Sequence, residues 1–539
     1  MLLRQLNSFC DKGIRNIDQG STNVKEVRFY SIQLNLILCV HKNRTPKQHF
    51  KGGFFVKKIK SIVALALVLT MSLAMWGCGG SSSSAPAKSN GGDSAKQSSG
   101  GDEAPAEINA TDDGTVLNIY CWNEEFQSRF ADYYPGYTAG KDTSTGTLKN
   151  DLGEFTVNWV ITPSADNAYQ NKLDEVLPGN ADASADDKVD IFLIEADYAL
   201  KYVNSDVTLD VKGLGLTDDD LSQMYQYTKT VGTNTADGTL RAVSWQATPG
   251  LFAYRRSIAK DVLGTDDPTE VQSKLSSWDD FDAVAAQAKD KGYYMLSGYD
   301  DAYRTFSNSV SSKWTTDDDT INIDDNLWTW VDQTKTYTDK GYNHKTSLWS
   351  DDWTKDQGPD GKVFGFFYST WGINFTLLGN SLADPDGEKA VGNGIYGDYA
   401  VCEGPAAYYW GGTWICGAAG TDNKSLVCDV MRVLTCDQAT AKKITEDTQD
   451  YTNNMAAMEE IANSDFKSDF LGGQNHIALF VAAAPNIDIS NMGPYDQGLN
   501  ESFQAAMKDY FDGNASKDDA TAAFYKSALE KYPNLKQPS

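Results

Sequence analysis

Five tryptophans, Trp122, Trp245, Trp371, Trp410 and Trp414, stand where a flat ring meets polar or glycine neighbours. Trp122 precedes Asn123 and Glu124, Trp245 precedes Gln246, and Trp410 precedes Gly411 and Gly412, which let a ligand approach the backbone. Trp371 follows the apolar run 364–370 at a turn. Rings offer their faces to C–H surfaces, while carboxylates and amides accept or donate hydrogen bonds, so such a set suits a ligand with apolar faces and a polar rim. Packing in the core is the commoner fate of any aromatic ring, and Trp159, Trp328 and Trp330 are read that way. The carboxylates admit a second chemistry. Glu124 and Asp197 fit the roles of a glycoside-cleaving acid and base, but spacing along the chain does not set their separation. No nucleophile elbow, P-loop or HExxH motif occurs. Of four histidines only His344 and His476 follow Cys78, no Cys/His cluster has zinc spacing, and no cofactor is called for. Asp384-Pro385-Asp386-Gly387-Glu388 lacks the alternation and closing Glu of a calcium loop and reads as a turn.

The elements that must position these residues begin after a long non-globular stretch. Lys57-Lys58-Ile59-Lys60, an apolar run too short to span a bilayer comfortably, and small residues before Cys78 have the layout of a secretory signal over 56–77. Gly77-Cys78-Gly79 resembles a bacterial lipobox, which implies cleavage before Cys78 and a lipid on its thiol; Met75 and Trp76 depart from the usual upstream residues. Residues 78–113 form a Gly/Ser-rich tether that cannot bury enough apolar surface to fold. Residues 1–55 read as an untranslated upstream extension, with translation beginning at Val56, because Val56 is encodable as GTG just beyond a purine-rich stretch for Lys51-Gly52-Gly53. Residues 1–77 hold 12 basic and 3 acidic side chains against a whole-chain net charge of −27, which leaves −36 on the rest. A surface of that sign repels phosphate backbones and argues against nucleic acid as a partner.

Strand patterns at 116–121, 155–161 and 189–194 alternate with helical patterns before Pro135 and at 167–177, the signature of a parallel α/β sheet. Ligands bind beyond the carboxyl ends of such strands. That rule selects Trp122, Asn123 and Glu124 after the first strand, and Glu195, Asp197 and Tyr198 after the third. Ser277 is the natural N-cap of a helix running to Lys289. Cys121, Cys402, Cys416, Cys428 and Cys436 are an odd set that cannot all pair and read as small buried hydrophobes, with one disulfide left open.

Residues 116–536 resemble the extracellular solute-binding proteins (family 1, sugar-type) of bacterial ABC importers, through VLNIYCWNEEF, VDIFLIEADYALKYV, GTLRAVSWQATPGLFAYRR, SSWDDFDAVAAQAK, VFGFFYSTWGIN and YYWGGTWICGAAG in order. The resemblance implies an α/β, two-lobed, periplasmic-binding-protein-like (type II) fold. Lobe one would be 114–245 and 396–440, and lobe two 246–395 and 441–539. It implies a monomeric binding protein, not an enzyme, that closes by hinge motion over a carbohydrate, an oligosaccharide, and is then recognised by permease subunits. It would work outside the cytoplasmic membrane, anchored at Cys78. On this view Trp122, Asn123, Glu124, Asp197, Tyr198, Trp245, Gln246, Asp300, Trp371, Trp410, Gly411 and Trp414 touch ligand, and 451–454 lies near the cleft by position alone. A polyamine site would also use Trp and carboxylates and is the nearest competitor. The thiamine-cleaving enzymes that share the fold use a cysteine where this chain reads SWQATPG. A structural or adhesive surface protein would need repeats that the sequence lacks.

Overall fold

In the computed structural model the described residues are 110–538; the signal, Cys78 and most of the tether lie outside them. β1 (Val116–Cys121) buries Leu117, Ile119 and Cys121 on one face, as period-two alternation requires. It leads through Trp122 into α1 (Glu125–Tyr133), whose Phe126 and Phe130 pack inward. A hairpin of β2 (Tyr137–Ala139) and β3 (Thr145–Asn150) precedes β4 (Gly153–Ile161), α2 (Ala168–Val176) and β5 (Ile191–Glu195). β1 runs parallel to both β4 and β5, placing Ile119 opposite Trp159 and Ile191. This is the parallel core that the sequence pattern predicts. The hairpin was not expected, because its strands carry Thr, Gly and Lys in place of an apolar run.

β6 (Ala242–Ser244) and β7 (Gly250–Arg255) come next, then α3 (Trp278–Asp290), β8 (Leu296–Gly298), α4 (Tyr303–Ser307) and α5 (Asp325–Lys340). The Ser277 side chain accepts from the Asp280 N–H and caps α3, as its position predicts. β9 (Asn343–Thr346), β10 (Gly365–Ser369), β11 (Tyr399–Cys402) and β12 (Thr413–Gly417) complete the strands. The carboxyl-terminal part is helical: α6 (Lys424–Met431), α7 (Gln438–Thr448), α8 (Met455–Ala462), α9 (His476–Ala483), α10 (Asp496–Phe511) and α11 (Lys517–Lys531).

The strands form one mixed sheet, ordered β2-β3-β4-β1-β5-β12-β6, and a smaller antiparallel sheet, β10-β7-β11, beside the pair β8-β9. β12 inserts antiparallel between β5 and β6. β11 falls within the 396–440 segment that the sequence assigns to lobe one, yet it hydrogen-bonds to β7 with Ala400 opposite Tyr254. The boundary at 396 is therefore corrected, since the chain leaves the smaller sheet only after β11. The chain passes between the sheets at 245–249 and 403–412, and again at 449–454, after α7 has buried Ile444 under the large sheet and before α9 packs on β7. These crossings lie side by side, with Gln246 bridged to Thr452 and Pro249 to Tyr409. Among the described residues five cysteines are free thiols; burial pushes Cys121 and Cys402 up to about 12. The segment 384–388 is a turn in which Asn393 Nδ2 donates to the carbonyls of Asp384 and Glu388.

Candidate ligand site

Two adjoining hollows of about 660 and 260 Å3 share Trp122, Asn123, Glu125, Trp371 and Phe375 as walls. One wall comes from the ends of β1 and β5. Trp122 rests edge-on against Tyr169 at 5.6 Å, and Asn123 Oδ1 accepts from the Glu125 N–H at 3.0 Å, which opens α1. Glu195, the last residue of β5, lines the smaller hollow. The opposite wall follows β10, where Trp371 and Phe375 sit on a short helix with a π-type turn. The crossings supply the floor: Gln246 Nε2 donates to Asp450 Oδ2 at 3.2 Å, and the Trp410 N–H donates to the Thr248 carbonyl at 3.1 Å.

The aromatic wall is continuous. Trp371 Nε1 donates to the Trp410 carbonyl at 2.9 Å, and the two rings meet at 5.3 Å and 74°. Trp349 lies near-parallel to Trp371 at 6.2 Å and tilted against Trp410 at 5.9 Å. Its backbone is left-handed, with φ 67°, and although its ring also tilts against the buried Trp353 at 5.3 Å the residue is 57% exposed, unusual for so large an apolar side chain. Phe375, which lines both hollows with Trp371, is 81% exposed. Gly411 and Gly412 also have positive φ, 71° and 111°; a Cβ on Gly411 would stand 3.0 Å from Trp371 Nε1. These glycines let the crossing run directly beneath the rings.

The hollows gather four carboxylates, Glu124, Glu125, Glu195 and Asp450, around one guanidinium, Arg129. Burial and then the Asp450 charge push Glu125 up to about 7, against the pull of Arg129 and Gln246. Burial likewise raises Asp450, with Arg129 opposing it. Glu195 is raised by burial and by Asp197, with Arg304 opposing. A raised carboxyl near neutrality is able to donate as well as accept, which suits a ligand rich in hydroxyls.

Seven of the sequence candidates, Trp122, Asn123, Glu124, Gln246, Trp371, Trp410 and Gly411, come together in these hollows. Five do not. Trp245 and Trp414 are each 1% exposed. The Trp245 ring carries the Arg129 guanidinium at 5.3 Å, and Trp414 Nε1 donates to the Thr228 carbonyl at 2.9 Å, so both indoles are core. Asp197 is drawn into an ion pair with Arg304 and lines a separate polar cavity of about 50 Å3. Tyr198 packs edge-on against Tyr202 at 6.1 Å. Asp300 accepts from the Leu348 N–H at 3.4 Å and thereby supports the turn that presents Trp349. Sequence reading missed Trp349, Phe375, Glu125 and Asp450. Trp349 is a bulky apolar residue directly before the N-cap Ser350, a signal that was there to be read.

The family model described as bacterial extracellular solute-binding protein matches residues 147–470. The chain belongs to that family. The solute-binding protein is thus one that works outside the cytoplasmic membrane, and its family binds and delivers rather than catalyses. Its two sheets and crossings match solved structures across most of the described chain. One is an extracellular solute-binding protein of family 1, at 18% identity and TM-score 0.60, covering 77% of this chain and 99% of that one. Another is the ABC transporter associated binding protein from B. animalis subsp. lactis Bl-04 with β-1,6-galactobiose, at 20% identity and TM-score 0.56, covering 79% and 100%. A third is the galacto-N-biose-/lacto-N-biose I-binding protein from Bifidobacterium longum with lacto-N-biose, at 14% identity and TM-score 0.56, covering 79% and 100%. At these identities the likeness of the solute-binding protein to them is one of fold. No curated protein sequence matches it. Among the described residues no helix is long and apolar enough to cross a membrane.

Proposed function

We propose that this solute-binding protein captures a carbohydrate, an oligosaccharide, between its lobes and delivers it to an ABC transporter permease. The observation that carries the reading is the aromatic cleft, in which Trp122, Trp371 and Phe375 line the hollows over a floor of Trp410 and Gln246, with Trp349 packed against Trp371 and Trp410. Sugar rings stack on such faces while their hydroxyls meet Asn123, Gln246 and the carboxylates. The structural neighbours with β-1,6-galactobiose and lacto-N-biose support the same class of ligand. Closure would trap the ligand because contacts to both walls exist together only when the lobes meet. The protein acts as a monomer held at the membrane by lipid on Cys78, with residues 78–113 as the tether.

Thermal melting against mono- and oligosaccharides tests this reading. A ligand at 100 times its Kd adds roughly 2.7 kcal/mol of stability, so the matching sugar class is expected to raise Tm clearly, and silence across that class would overturn the proposal. A polyamine receptor is the second reading, favoured by the four carboxylates set against one guanidinium. A shift with spermidine or putrescine alone would select it.

A further inference from the structure

The contacts between the lobes are not confined to the three crossings. Asp197 lies just beyond β5 of the large sheet, and Arg304 lies on α4, which packs with α5 and places Phe306 in a stack with Trp278 at 4.5 Å. Arg304 Nη1 and Nη2 donate to the two carboxylate oxygens of Asp197, each at 2.5 Å. This is a bidentate fork, the arrangement in which the plane of the guanidinium fixes direction as well as distance. Both side chains are about three-quarters buried, at 24% and 26% exposure. The Asp197 N–H in turn donates to Glu195 Oε2 at 2.9 Å, and Glu195 lines the ligand cleft. On its other side the Arg304 guanidinium lies 6.0 Å from the centre of the Trp410 ring. Nearby, Asn308 Oδ1 accepts from the Tyr409 N–H at 2.7 Å, tying the same part of lobe two to the crossing that carries Trp410.

We infer that Arg304 is a positioning residue for ligand capture, a latch that joins the lobes through Asp197, two residues beyond the cleft-lining Glu195. The inference rests on the hinge-closing binding function proposed above and adds a named device to it. Asp197 takes the fork, and its N–H holds the Glu195 side chain at the cleft. With the cation present the pair draws α4 toward the end of β5. Without it, the Asp197 carboxylate is left in a poorly hydrated place without its partner, and the lobes lose a direction-specific tie on the same side as the Trp410 ring. Ligand stacking on Trp410 and the ion pair then favour the same closed arrangement, and each makes the other's closed state more populated.

The test reads lobe separation directly and requires no ligand. Spin labels carried on unnatural side chains at exposed positions 152 and 355, one on each lobe, give the distance distribution of the full chain by double electron–electron resonance. Arg304→Gln and Asp197→Asn are each expected to raise the ratio of the long-distance to the short-distance population by about tenfold. Arg304→Lys, which keeps the charge but loses the fork, is expected to fall between them and the wild type. The exchanged pair Asp197→Arg with Arg304→Asp is expected to recover part of the short-distance population. If Arg304→Gln and Asp197→Asn lower Tm but leave the distance distribution as in the wild type, the pair only stabilises the fold and the latch is overturned. A protein that bound no carbohydrate would overturn the proposed function, while the distances alone would still decide the latch.

Discussion

Trp410 and Trp414 lie four residues apart and do different work. Trp414 is enclosed and hydrogen-bonded to the Thr228 carbonyl, whereas Trp410 meets Trp349 and Trp371 at the edge of a hollow. Trp414→Ala is expected to cost about 3–5 kcal/mol of stability as a buried cavity, read by chemical denaturation. Trp410→Ala and Trp371→Ala are expected to weaken binding of the matching sugar by roughly 10- to 100-fold, the loss of a ring that lines the hollow. Isothermal titration checks this. Glu125 gives a pH prediction. Its folded-state pKa is raised from 4.5 to about 7, so its protonated form contributes stability that is present below about pH 4.5 and lost as pH rises through about 7. Glu125→Gln is therefore expected to be more stable than the wild type at pH 8 by about 1–2 kcal/mol, with the difference shrinking toward pH 4.5, as Tm measured across that range would show. Ring identity and the neighbouring amides were readable in the sequence. Which rings face the cleft was not, because strand periodicity gives a face but not what lies opposite it.

At the scale of elements, the strands that were read correctly are those with continuous or alternating apolar residues, β1, β4 and β5. The β2-β3 hairpin carries no apolar run to mark it in the sequence, and the pairing of β11 with β7 is visible only in its hydrogen bonds. The 409–412 crossing shows how element and site depend on each other. Gly411 has φ 71°, and its carbonyl accepts from Thr248 Oγ1 at 2.8 Å. Gly411→Ala introduces both a left-handed alanine and a Cβ pressed toward Trp371 Nε1. The expected cost is about 1–2 kcal/mol, accompanied by weaker sugar binding as the Trp371 to Trp410 hydrogen bond is strained. Denaturant titration and calorimetry together separate the two effects.

For the whole molecule, the two-lobed fold was readable because several short motifs occur in one order over most of the chain, while no single motif names the ligand. Acid sensitivity of the whole fold has a specific source in His476 on α9, which is fully buried with Nε2 donating to the Gln449 carbonyl at 3.1 Å. Burial lowers its pKa from 6.5 to about 4, so the neutral ring is favoured in the folded state and stability is lost as pH falls from about 6.5 toward 4. The loss attributable to this group is roughly 3 kcal/mol, and His476→Gln is expected to flatten that part of the stability profile. The side-by-side crossings carry one more consequence. Because Gln246 and Trp410 belong to the crossings and also form the cleft floor, whatever lies on that floor presses on the pivot itself. With the hinge closure proposed above, the molecule is expected to work as a calliper: the thickness of the object between Trp122 and Trp371 would be converted into an angle, and the distant lobe tips would magnify it. Two ligands of different girth would leave the same protein with tips set at different gaps, a difference that small-angle scattering would resolve.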